Sequence, residues 1–146
     1  MNKKTLIISA IAVISLSVLV VLFSVFFDQN RQSRLETADA FVASIANNDP
    51  ETSFELMSRQ LANQVGRADA WRQRVNNIQA RDEDAFELEE RVAGEDPGGL
   101  YGDEESIETF KYSFHMEGGS EYIFSVYVAI DNDGEAKVVD FKSSLR

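Results

Sequence analysis

The stretch TFKYSFHMEGGSEYIFSVYVAI, residues 109–130, decides the fold. Its first half alternates Phe110, Tyr112, Phe114 and Met116 with Thr109, Lys111, Ser113 and His115. Its second half alternates Tyr122, Phe124, Val126, Val128 and Ile130 with Ile123, Ser125, Tyr127 and Ala129. A period of two in aromatic and β-branched residues marks a strand with one buried face. Gly118-Gly119 interrupts the run, so the halves are the arms of a hairpin. Both arms put even-numbered residues on the core face. A two-residue turn would pair even with odd positions, and a one-residue slip sends every side chain to the wrong face. A three-residue loop over Gly118 to Ser120 keeps the faces matched and is the expected connection.

Further along, Asp133-Gly134 signals a two-residue type I′ turn. That turn pairs Val128 with Val139 and Val126 with Phe141, so Val139 and Phe141 join the core face. Val138 and Asp140 then point outward, Asp140 opposite Tyr127. Toward the N-terminus, Phe86 and Leu88 open another strand, and residues 94–99, with Pro97, form a loop. About four antiparallel strands result.

Before Arg81 the apolar spacing is three and four, the period of amphipathic helices. Leu35, Ala38, Phe41, Val42 and Ile45 make one stripe, and Asn47-Asn48 ends it. Asp49-Pro50 reads as an N-cap followed by Pro in the first turn. The helix it opens carries Phe54, Met57 and Leu61 and ends at Gly66. A third helix runs from about Ala68, with Trp71, Val75 and Ile78 on one face. The predicted fold class is α+β, with about three helices on one face of the sheet.

Helices followed by a meander resemble the small cystatin-like domains of the nuclear-transport-factor-two-like superfamily. Two stretches carry the resemblance: Ala38-x-x-Phe41-x-x-x-Ile45 leading to Asn48-Asp49 and Phe54, and the closing strand Asp133 to Phe141. Many members carry a Trp where this chain has Ala136. The resemblance implies a cystatin-like fold with a pocket between sheet and helices. It implies either an enzyme or a binding module, because fold does not fix function.

Ahead of this domain, residues 6–27 hold no charge, Pro or Gly. Those residues as a helix extend about 33 Å, enough for a hydrocarbon core of roughly 30 Å. Lys3 and Lys4 also suit a signal peptide, but the run is too long and ends in bulky Val25-Phe26-Phe27. The expectation is a retained single-pass anchor in the cell membrane, with residues 1–5 cytoplasmic by the positive-inside rule and residues 28–146 outside. Without cysteine, neither disulfides nor a lipid-modified cysteine are available.

Acidity is concentrated in one place. Residues 28–81 balance seven acids with seven bases, whereas residues 82–108 carry twelve acids against the lone base Arg91. Nucleic-acid binding needs a basic footprint and is excluded. The run reads either as a solvated segment, partly offset by Arg67, Arg72, Arg74 and Arg81, or as a functional surface. The functional alternatives are a weak divalent-cation site or an acidic docking segment for a basic partner, with Glu87, Glu89, Glu90, Asp103, Glu104 and Glu105 as the docking candidates. A second candidate surface is the outer sheet face, where Ile107, Ile123, Tyr127 and Val138 would stand exposed and call for a protein partner or a second copy.

Little points to catalysis. His115, the only histidine, falls on the odd-numbered outer face. The superfamily resemblance alone suggests Asp140, which the register also places outside. Asp131 to Gly134 looks like the start of a calcium loop, yet position 129 is Ala and the flanks are strands. The expectation is no enzyme, no cofactor and no metal site. A membrane-tethered protein-interaction module, part of an envelope assembly, is the leading function, and it implies a core filled by Phe41, Trp71, Phe110 and Phe124. The rival is a tethered pocket domain for a small apolar ligand, lined by Trp71, Tyr112 and Phe124.

Overall fold

The computed structural model describes residues 3–76, 87–94, 107–115 and 119–145, the side chains of residues 3–13, His115 and Leu145 excepted. Two compact units divide the chain, Met1–Gln32 and Ser33–Arg146. The first helix, α1 (Lys3–Ala46), supplies the apolar N-terminal segment and also the stripe of the second unit. One part of it, near the N-terminus, is long and apolar enough to cross a membrane. Its large apolar side chains between Ile14 and Phe27 are 51–66% exposed, so no protein core satisfies them.

Within Ser33–Arg146 the order is the end of α1, then α2 (Pro50–Glu55), α3 (Arg59–Val65), α4 (Ala68–Asn76), β1 (Glu87–Ala93), β2 (Ile107–His115), β3 (Glu121–Ile130) and β4 (Ala136–Leu145). The four strands form one antiparallel sheet in the order β1-β2-β3-β4. This is the predicted α+β arrangement. Phe114 pairs with Tyr122 and His115 with Glu121, so even positions do share a face across the first hairpin. The expected three-residue loop over Gly118 to Ser120, and the inward position expected for Met116, fall partly on residues 116–118, which lie outside the described residues.

The core joins Ala38, Phe41, Val42 and Ile45 of α1 to the even-numbered residues of β2 and β3, with Trp71 and Val75 of α4. Its densest part is aromatic. Trp71 stacks on Phe41 at 6.1 Å and meets Phe141 edge-on at 5.2 Å, while Phe124 stacks on Phe141 at 6.2 Å. Such pairs add specific attraction to the burial of large apolar areas. The Trp71 indole N–H donates to Ser53 Oγ at 2.7 Å, and Ser53 Oγ donates to the Pro50 carbonyl, so these two buried polar side chains are satisfied.

Two local readings need correction. The single helix expected from Pro50 to Gly66 is two, because Leu56, Met57 and Ser58 leave the helical path and run beside β4. Met57 bridges Val138 in parallel: the Val138 amide donates to the Leu56 carbonyl and the Ser58 amide to the Val138 carbonyl. Ser58 then caps α3 by accepting from the Leu61 amide.

The second correction concerns the last hairpin. Asp131 Oδ1 accepts from the amides of Asp133 and Glu135, and the Asp131 amide donates to the Glu135 carbonyl. The turn is therefore one residue longer than type I′, with Gly134 at φ +82° as its left-handed residue. The longer turn pairs Ile130 with Ala136 and Val128 with Val138, which turns Val138 into the core. A bulge between these pairs and Tyr127–Asp140 restores the expected register, so Phe141 also faces inward and Val139 outward.

Asp49 opens α2 as predicted. Its carboxylate accepts from the hydroxyl of Thr52 at 2.7 Å and from the Thr52 amide at 3.1 Å, and these bonds hold its pKa below the ordinary aspartate value. A depressed folded-state pKa gives stability that is complete above the unfolded value and lost as pH falls through the folded one. Asp49→Ala should accordingly lower the midpoint of thermal unfolding near neutral pH. The gap from wild type should close in acid; a gap that stays constant from pH 7 down to about pH 2 would count against the cap.

Candidate functional site

Three acids of the acidic run, Glu87, Glu89 and Glu90, lie on β1 at the edge of the described sheet. Glu87, Leu88, Glu89 and Glu90 are all exposed, and a bulge falls between Leu88 and Glu90. Glu90 pairs with Lys111 on β2 at 2.8 Å. Leu88 lies opposite Tyr112 and therefore on the helix side of the sheet, yet it is 41% exposed. Among the described residues it is the one large apolar side chain outside α1 with this exposure. The proposed docking residues Asp103, Glu104 and Glu105 lie outside the described residues.

Glu108 differs from its acidic neighbours. Its even number puts it on the helix face beside Phe110, and it is 2% exposed. The guanidinium of Arg91, from β1, holds it through two bonds: Nε to Oε1, and Nη2 to Oε2 at 3.0 Å. Arg34 of α1 adds Nη1 at 3.8 Å from Oε2. The Arg91 guanidinium also lies 5.1 Å from the centre of the Phe110 ring, a cation–π contact. The hydrogen bonds to Glu108 raise the Arg91 pKa, against its partial burial. This forked ion pair ties the edge strand to β2 and to α1. Periodicity carried the signal for it: a carboxylate at an inward position, and Arg91 as the single base among twelve acids.

The outer face is less open than the sequence suggests. Ile107, Tyr127, Ala129 and Val139 form a second apolar cluster and are only 0–7% exposed. Ile123 is half-buried, and Val138 belongs to the main core. Of the four residues proposed for an outer docking surface, Ile107 and Tyr127 are thus buried and Val138 is on the opposite face. Lys142 lies 5.5 Å from the centre of the Tyr127 ring and is exposed.

The three proposed pocket residues are packed. Trp71 and Phe124 belong to the aromatic cluster, and Tyr112 is buried with its hydroxyl donating to the Asp39 carboxylate at 2.6 Å. Burial first, and this bond second, push the Tyr112 phenol above its ordinary range and keep it protonated. Two clefts formed by described residues lie elsewhere, where the α2–α3 link meets the β3–β4 turn. One, of about 280 Å³, is lined by Ser58, Gln60, Ile130, Lys137 and neighbours, and the other, of about 420 Å³, by Arg59, Asp133, Glu135 and neighbours. Lys137 is paired there with Glu135 at 3.0 Å.

Asp140 lies opposite Tyr127, as expected, and accepts from the amide of Phe141 at 2.8 Å. Asp131, the first residue of the calcium-like segment, uses Oδ1 to hold the hairpin turn. Among the described residues, no three His, Asp or Glu side chains converge as metal ligands. No protein-family model, curated protein or solved structure matches this chain.

Proposed function

We propose that this chain is a non-enzymatic protein-interaction module of cystatin-like type, held at the cell membrane by residues 6–27 with its folded domain on the extracytoplasmic side. One observation carries the reading. Phe41, Trp71, Phe110 and Phe124, which would have to withdraw to open a ligand pocket, are each at most 1% exposed. Trp71, Tyr112 and Phe124 consequently serve the core, and recognition is left to the surface. The basic partner sits near the membrane, where the anchor holds the domain.

Photo-crosslinkers placed at exposed positions of the full-length chain, in its own membrane, test this. A discrete protein adduct is the expected result. Labelling of lipid alone from every position, with saturable binding of a small apolar compound to the domain, would overturn the proposal in favour of a ligand carrier.

A further inference from the structure

The outer edge of β1, which no described residue pairs with, has a chemistry that specifies what can lie along it. Among the described residues β1 pairs only with β2, and residues 87–90 are exposed in sequence. An edge strand presents a row of backbone N–H and C=O groups that another strand can complete. Side chains of a strand added there would share faces with those of β1. Leu88, on the helix side, offers an apolar neighbour. Glu87 and Glu90, opposite Ser113 and Lys111, stand on the other face. A second copy of β1 is a poor occupant, because it brings like charges side by side. The acids guard the edge against self-pairing while suiting a strand of the opposite charge.

We infer that the β1 edge is a strand-addition site for an extended peptide segment of a partner protein, one that alternates basic and apolar residues. The inference rests on the interaction-module reading above and names the surface and the chemistry of the partner. Apolar residues of the segment pack beside Leu88, basic ones lie along Glu87, Glu89 and Glu90, and backbone hydrogen bonds continue the sheet.

The probe is a synthetic Lys–Val alternating peptide of about ten residues, long enough for one strand. It is titrated against the full chain in uncharged detergent micelles. Controls are the same peptide N-methylated at alternate amides and a Glu–Val counterpart. The expected result is saturable binding of the Lys–Val peptide, with slower hydrogen exchange in residues 87–93. N-methylation abolishes it, and Glu87→Lys with Glu89→Lys weakens it by about tenfold or more. Binding that survives N-methylation, or that the charge reversal leaves unchanged, would overturn strand addition, as would no binding. To separate this from the parent reading, crosslinkers are placed at Leu88 and at Lys142 in membranes. A partner captured from Lys142 alone ends the β1 inference and leaves the module; capture from neither ends both.

Discussion

Arg91→Met should lower the stability of the Ser33–Arg146 unit by about 3–5 kcal/mol, the usual cost of stranding a buried charge. Glu108 is 2% exposed and, among the described residues, would keep only Arg34, 3.8 Å away, as its counter-charge. Methionine retains the apolar stem against Phe110, so the loss reports the ion pair more than the packing. The reverse change should be milder. Glu108→Gln leaves Arg91 and Arg34 charged, but their side chains are 27% and 16% exposed and reach water. The double replacement Arg91→Met with Glu108→Leu should recover much of the loss, since an apolar pair often replaces a buried ion pair at little cost. Urea unfolding of the full chain in micelles, followed by circular dichroism, measures all three. Equal losses for the two single variants would show that Glu108 is better solvated than its burial implies.

The second large effect is expected at Trp71. Trp71→Ala removes the ring that joins Phe41 to Phe141 and leaves the Ser53 hydroxyl without its donor, so a loss of about 3–5 kcal/mol follows. Trp71→Phe keeps most of the volume and loses the N–H, so its cost should be closer to the 1–3 kcal/mol, roughly, of an unsatisfied buried group. Rapid hydrogen exchange across α2 and α4 in the alanine variant would locate the damage, because Trp71 of α4 bonds Ser53 of α2. A Trp71→Ala protein as stable as wild type would mean that the aromatic cluster does not organise the core.

Much of this was legible in residues 109–130, where one alternation placed Phe110, Tyr112, Phe114 and Phe124 inside. Burial of one face leaves no freedom in register, so pattern and structure agree there. The last hairpin was harder. Asp133-Gly134 suits two turn lengths, and the choice lay with the Asp131 carboxylate binding two amides. That one-residue difference moved Val138 inside and Val139 outside. The helix break at Leu56–Ser58 was hidden because Met57 fits a helical stripe as well as a strand beside β4. Glu108 was counted with the acidic run when its even number already placed it with Phe110. Ile107 and Tyr127 faced outward as read, but facing away from the helices did not make them exposed.

The short stretch from Leu56 to Ser58 also governs how copies of this protein can aggregate. Continuous stacking of sheets needs two free edges per molecule, one to give and one to receive. Backbone groups of Val138 on β4 are already taken by Leu56 and Ser58. A strand arriving at that side finds its first rungs occupied, while a strand arriving at β1 meets an acidic fringe. Growth of a ladder from molecule to molecule is thus opposed at Val138 by the chain's own backbone and at β1 by charge. For a domain whose sheet has two outer strands, that is protection against fibre formation.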